Sequence, residues 1–215
     1  MLIVALTGGI GSGKSIITDA LREQGCYVHS ADKAAHELLE PGRPAWEKAV
    51  AHFGENILNP DRTVNREKLG KIIFENTKER VFLNSLMHPL VMEKKREVIA
   101  RLEKDGKVEI FVSEAALTIE AGFAKFFDKI VVAYCPEEVQ ITRLMERDGI
   151  PKGEALKKIR SQMPAEEKKK YADYVIDTSG SLERTLAQTQ AVLARLHEDA
   201  VRKKQGKTQR RARIL

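Results

Sequence analysis

Gly8, Gly13, Lys14 and Ser15 stand at the spacing G-x-x-x-x-G-K-[ST] inside the stretch "LTGGIGSGKSIITDALREQG", and that pattern binds phosphate. The glycines Gly8, Gly9, Gly11 and Gly13 let the chain turn tightly enough for several backbone N–H groups to converge on one anion. Lys14 adds a point charge at the β- and γ-phosphates, and the Ser15 hydroxyl is suited to ligate Mg²⁺. A P-loop of this kind sits between a strand and a helix N-terminus. "MLIVALT" before it is β-prone and apolar, and Ile16, Ile17, Ala20 and Leu21 after it recur at helical spacing.

Four further places hold residues able to act on a transferring phosphoryl group. Asp32 follows the β-prone run "CYVHSAD", where a carboxylate at the end of a strand faces the crevice in which open α/β sheets bind ligands. There it is able to orient a hydroxyl and take its proton, although Asp also suits the N-cap of the helix "KAAHELL". Glu114 closes the strand "VEIFVSE", as a Mg²⁺-positioning acid would. Gln140, Arg143 and Arg147 lie at i, i+3 and i+7 on one face of the helix "EEVQITRLMERDG". Arginines on a mobile segment neutralise phosphoryl charge; the competing reading pairs them with Glu146 or Asp148. His88, before Pro89, is placed either at substrate or at a helix boundary.

The elements that must position these groups read as alternating strands and helices, hence a parallel sheet with right-handed crossovers. Strands are expected at "LIVALT", "CYVHS", "VEIFVS", "KIVVAYC" and "YADYVIDT", and a long final helix behind Ser181 as N-cap. Residues 44–104 read as helical, with breaks at "GENILNPDRT" and at His88-Pro89, and are too long for one crossover. The expected division is a nucleotide-binding core over 1–43 and 105–201 with a lid near 140–165, a helical substrate-binding insertion over 44–104, and a basic tail over 202–215.

With 215 residues, 42% hydrophobic and 32% charged, the chain suits one α/β domain with an inserted subdomain. No apolar run approaches the ~20 residues that span a bilayer, no targeting peptide is expected ahead of the first strand, and Cys26 and Cys135 show no metal or redox spacing. A cytoplasmic protein with no membrane partner is expected. The formal charge of +6 comes from the tail "RKKQGKTQRRARIL": its seven basic residues leave the rest at −1. That tail reads as a solvated extension of the last helix rather than a nucleic-acid surface, and nothing in the sequence sets an oligomeric state.

A P-loop serves switches and motors as well as kinases. The one D-x-x-G, Asp177 to Gly180, has no N-K-x-D after it, and the chain is short for a motor ATPase. A small-molecule kinase is the favoured reading. The segments "IVALTGGIGSGKS", "SADKAAHELL", "HPLV", "LTIEAGF", "RLMERDG" and "EALKKIRSQMPAEEKKKYADYVIDTSGSLE", in this order, resemble the dephospho-CoA kinase family from near residue 3 to about 195. Within them "Q-M-P-x-E-x-K" and "A-D-x-V-I-D-x-S-G" are far more specific than the P-loop.

The resemblance implies a P-loop kinase fold and transfer of the ATP γ-phosphate, with Mg²⁺, to the ribose 3′-hydroxyl of dephospho-CoA. It further implies that Gly11, Ser12, Gly13, Lys14, Ser15 and Ile16, with Arg143, hold the nucleotide. By the same resemblance Asp32 is the base, Lys14 and Arg147 act on the transferring group, and His88 and Glu114 lie on the substrate side. Ile16, Glu114, Ala116 and Thr178 stand where the family usually has Thr, Asp, Pro and Asn. The alternative is another P-loop small-molecule kinase, such as a nucleoside monophosphate kinase.

Overall fold

The computed structural model describes residues 1–206, so most of the basic tail, 207–215, lies outside the described residues. In chain order the elements are β1 (Leu2–Thr7), α1 (Lys14–Glu23), β2 (Tyr27–Ser30), α2 (Ala31–Leu38), α3 (Pro44–Phe53), α4 (Arg66–Glu75) and α5 (Thr77–Asp105). They continue with β3 (Ile110–Glu114), β4 (Lys129–Tyr134), α6 (Glu137–Asp148), α7 (Lys152–Arg160), α8 (Ala165–Lys169), β5 (Tyr174–Asp177) and α9 (Leu182–Lys204). Two compact units result: Met1–His29 with Arg101–Leu215, and Ser30–Ala100.

The first unit is built on a five-stranded sheet in the order β2-β3-β1-β4-β5. β1 lies at its centre, parallel to β3 (Leu2 opposite Ile110, Leu6 opposite Glu114) and to β4 (Val4 opposite Lys129, Thr7 opposite Val132). A strand covered on both faces cannot alternate polar and apolar side chains, which is why "LIVALT" is apolar almost throughout. On one face Leu2, Val4, Leu6, Val112, Val131 and Ile176 pack against Ile17 and Leu21 of α1 and against Val192, Leu193 and Leu196 of α9. Each such side chain contributes about 1.5–3 kcal/mol by leaving water. On the other face Ala5, Ile130 and Val132 meet Phe127. α6 and α7 form a hairpin with its own small core, Ile141, Leu144, Ala155 and Ile159, against which Ile10 of the P-loop packs.

Ser181 caps α9 as expected, accepting from the Arg184 N–H. Cys26 and Cys135 are both buried free thiols.

The second unit is helical. Ala45, Ile57, Leu69, Leu83 and Met87 form its core. A turn between α3 and α4 is closed by an antiparallel bridge from Leu58 to Val64 and by the Trp46 indole donating to the Arg62 carbonyl at 3.0 Å. The break expected at His88-Pro89 is absent, because α5 runs straight through Pro89. A proline inside a helix deletes the bond its N–H would make to the carbonyl four residues back, at a cost of about 3 kcal/mol. Here Leu83 and Met87 are anchored in the core before the proline, and Leu86 and Leu90 pack against the same cluster. Packing on both sides of the ring outweighs the missing bond.

Candidate active site

Within the first unit the P-loop runs from the end of β1 into α1. Gly13 is the residue ahead of α1 and has φ 75°, a left-handed conformation that a side chain resists. Gly8 is needed for a different reason: a Cβ there would lie 2.5 Å from the Ala133 carbonyl oxygen and 2.6 Å from Ser12 Oγ. The Lys14 ammonium donates to the carbonyls of Gly8 (2.9 Å) and Gly9 (3.0 Å), which holds the charge at the mouth of the loop. Ser15, in the first turn of α1, is exposed. Ser12 is fully buried, while Gly11 and Ile16 are partly so.

The loop is gripped from behind by side chains of distant segments. Arg143 of α6 donates to Gly11 O at 3.3 Å, to Thr178 Oγ1 at 3.2 Å and to Thr178 O at 2.5 Å. Thr178 Oγ1 donates to Ser12 O at 2.9 Å, so the residue after β5 ties the loop to the sheet. Gln140, 2% exposed, donates from Nε2 to the Ile10 carbonyl at 2.6 Å. Gln162 accepts from the Ile10 N–H at 2.9 Å. Cys135 Sγ, 3.8 Å from Gly11 O, completes the backing. Burial pushes the Cys135 thiol up from its ordinary value and the Arg143 charge opposes that shift, so the group is a neutral thiol at pH 7.

Two members of the expected arginine face thus reach the P-loop: Gln140 and Arg143. Arg147 is placed elsewhere. Its guanidinium binds the neighbouring Asp148 at 2.7 and 3.2 Å, with 60% of the side chain exposed, in keeping with the ion-pair reading of that helix. Glu114 is partly buried at the end of β3, in register with Leu6 of the P-loop strand. The chain just beyond it is joined to that strand by Ala115 N–H to Leu6 O at 3.1 Å and by Thr7 Oγ1 to Ala116 O at 3.1 Å. The second bond uses a main-chain oxygen, which the proline usual at residue 116 would supply equally.

Asp32 and His88 belong to the second unit. Asp32 is not the cap of α2: Ser30 takes that place, its hydroxyl accepting from the Lys33 N–H at 3.4 Å. α2 begins two residues earlier than a cap at Asp32 requires, leaving Asp32 exposed in the first turn. One turn on, His36 is held below its ordinary pKa, first by burial and then by Arg66, with Asp32 pulling the other way. Glu37 of α2 pairs with Lys94 of α5. His88 is partly buried within α5, and burial lowers its pKa, so it is a neutral imidazole at pH 7.

Sequence reasoning missed Gln162 and Thr178 as supports of the P-loop. Gln162 opens the motif "Q-M-P-x-E-x-K" and Thr178 follows a strand end, but nothing local tells which distant carbonyl or N–H each one meets. Among the described residues no three or more His, Cys, Asp or Glu side chains are grouped to hold a metal. An exposed serine hydroxyl at a phosphate loop still fits Mg²⁺, which takes one or two protein oxygens and completes its shell with phosphate and water. Among the described residues no helix is long and apolar enough to cross a membrane.

A family model described as dephospho-CoA kinase matches residues 2–184. A dephospho-CoA kinase of Carboxydothermus hydrogenoformans is 46% identical over 191 residues, covering 89% of this chain and 92% of its own. One from Halalkalibacterium halodurans is 39% identical over 194 residues, covering 90% and 96%. Among solved structures, the dephospho-CoA kinase of Campylobacter jejuni is similar with a TM-score of 0.66 at 29% identity, covering 92% of this chain and 98% of that one. A Thermus thermophilus protein is similar with a TM-score of 0.74 at 30% identity, covering 91% and 97%.

Proposed function

The chain belongs to the dephospho-CoA kinase family, and from that premise we propose how its own residues carry out the reaction. The enzyme phosphorylates the ribose 3′-hydroxyl of dephospho-CoA, the last step of coenzyme A synthesis. ATP is the proposed donor. The P-loop N–H groups and Lys14 hold its phosphates, and Ser15 would hold Mg²⁺. When bound, that ion neutralises charge on the phosphate oxygens.

Asp32 is the proposed base: its carboxylate orients the 3′-hydroxyl and accepts its proton as the oxygen attacks phosphorus. The cap bond made by Ser30 supports this role, since α2 does not require a carboxylate at residue 32 for capping. His88, neutral at pH 7, is proposed to serve the acceptor side with the helical residues 44–104. Glu114, at the end of β3, is proposed as a further substrate-side residue. Arg143 holds the nucleotide loop, and Arg147 is the arginine proposed to exchange Asp148 for the transferring phosphoryl group. Transfer of this kind is catalysed mainly by positioning and charge, which suits a loop so heavily supported from behind. A cytoplasmic setting is proposed, in which ATP is at hand.

The observation that carries the reading is the near full-length family match joined to the built P-loop. The test supplies ATP and Mg²⁺ with dephospho-CoA, AMP, adenosine or no acceptor, and follows ADP release and the position of phosphorus by NMR. Dephospho-CoA should gain a 3′-phosphate, with kcat/KM far above that of adenosine, which lacks the remote arm that supplies binding energy. Efficient conversion of AMP to ADP with dephospho-CoA untouched would establish a monophosphate kinase instead.

A further inference from the structure

The segment Gln162 to Lys168 holds polar contacts beyond those that carry phosphate. Its first residue grips the P-loop, since Gln162 Oε1 accepts the Ile10 N–H at 2.9 Å. Its last grips the chain that follows β3. The Lys168 side chain is fully buried, donating to the Ala116 carbonyl at 2.6 Å and pairing with the Glu120 carboxylate at 2.7 Å. Between them, the Met163 N–H donates to the same Glu120 oxygen at 3.0 Å. The Ala116 carbonyl also accepts from Thr7, the residue before Gly8. Two connections of quite different kind therefore join this short segment to the two loops that frame the end of β1.

Neighbouring lysines show how unusual this burial is. Lys169 and Lys170 pair with Glu166 and Glu167 at the surface, where such contacts need no desolvation. Burying the Lys168 ammonium costs several kcal/mol before its partners offset it, and a well-packed apolar side chain often stabilises as much. Stability alone does not select this lysine. What it supplies is geometry: one charge that fixes a main-chain oxygen and a carboxylate in a single arrangement.

We propose that Lys168, together with Gln162, is a positioning residue for phosphoryl transfer, strapping the P-loop to the loop after β3 so that the nucleotide phosphates and the end of that strand keep one register. The inference rests on the kinase reading above. Burial draws the Lys168 pKa below its ordinary value, and the Glu120 carboxylate beside it opposes that shift.

The test uses the full chain with ATP, Mg²⁺ and dephospho-CoA, at a temperature well below the melting point of each variant. Lys168→Met, Gln162→Ala, Glu120→Gln and the double variant Gln162→Ala/Lys168→Met are compared for kcat, for both KM values and for Tm. Lys168→Met should lose about tenfold or more in kcat, since an error of about 1 Å in alignment costs up to ~10²-fold. KM for dephospho-CoA should stay within about threefold. Because both residues hold one strap, the double variant should be no worse than about threefold below the poorer single variant. A merely structural role would lower Tm and leave kcat unchanged, and that result overturns the proposal. If Lys168→Met does not fold, the partly exposed Gln162 decides: kcat of Gln162→Ala within about twofold of wild type overturns it too. Wild-type enzyme that fails to phosphorylate dephospho-CoA would instead defeat the kinase reading, so the two failures are distinct.

Discussion

Replacing Arg143 with lysine separates two jobs that an arginine can do beside a phosphate loop. If the side chain serves as a charge for phosphate, lysine retains most of its effect. If it bridges the loop to the segment after β5, lysine fails, because one ammonium cannot span Gly11 O at 3.3 Å and Thr178 O at 2.5 Å as a planar fork does. At least one charge-assisted hydrogen bond is lost, and such bonds are each worth about 1.5–3 kcal/mol. Cys135 Sγ stays near Gly11 O, and Thr178 Oγ1 keeps its bond to Ser12 O, so collapse of the loop is limited. A net loss of about 2 kcal/mol corresponds to roughly 4–8 °C in Tm for a chain of this size. The same loss of alignment corresponds to about thirtyfold in kcat/KM for ATP. Differential scanning fluorimetry and a coupled ADP assay on Arg143→Lys and Arg143→Met read both quantities. Lysine with wild-type Tm and near wild-type kcat/KM, beside a methionine variant that loses only nucleotide affinity, would refute the bridging argument.

Other residues give independent outcomes. Lys14→Ala should lower turnover by about 10²–10³-fold, the range found when one donor to a developing negative charge is removed, as an ADP-release assay would read. Asp32→Asn should reduce kcat by about 10²-fold or more at nearly constant Tm, whereas Ser30→Ala should cost about 1 kcal/mol of stability through its lost cap; rates and melts on both variants check the division. Lys95 of α5 is 4% exposed, and burial holds its pKa down to about 8 from 10.5. Below pH 8 folded and unfolded chains are both protonated there and the cost of the buried charge is present in full. Between about 8 and 10.5 the folded chain releases its proton first, so stability rises with pH. Lys95→Met should therefore remove this rise, so that Tm against pH is flatter for the variant than for wild type between about pH 8 and 10.5.

The chemistry of the P-loop was legible because it depends on adjacent residues: glycines, a lysine and a serine in a fixed frame. The strands were legible for a related reason, since a parallel strand covered on both faces is apolar whatever its partners are. Long-range gripping left no such trace. Of the three lysines in "AEEKKKY" Lys168 alone is buried, and only its distant partners, the Ala116 carbonyl and the Glu120 carboxylate, explain which one. Ser30 and Asp32 are both good caps by type, and a shift of the helix start by two positions decided between them. Pro89 was read by its local rule, which the core around Leu83 and Met87 overrode. Arg143 and Arg147 looked equivalent on one helix face, but only the former lies where the loop carbonyls are.

The central place of β1 in the sheet also sets a timetable for synthesis. Leu2–Thr7 leaves the ribosome well before its partners, which begin at Ile110 on one side and Lys129 on the other. At 5–20 residues per second the apolar strand waits roughly 6–25 s for both neighbours. The second unit, contiguous from Ser30 to Ala100, emerges whole during that interval. Nascent chains halted before β4 should therefore hold a protected helical unit while the P-loop segment stays open to protease and binds no nucleotide. Pulse proteolysis of stalled chains of increasing length reads this directly, and nucleotide protection appearing before residue 129 would contradict it. Until β4 arrives the strand "LIVALT" is a client for any chaperone that recognises extended apolar peptide, so the demand on that machinery is written into the order of the strands.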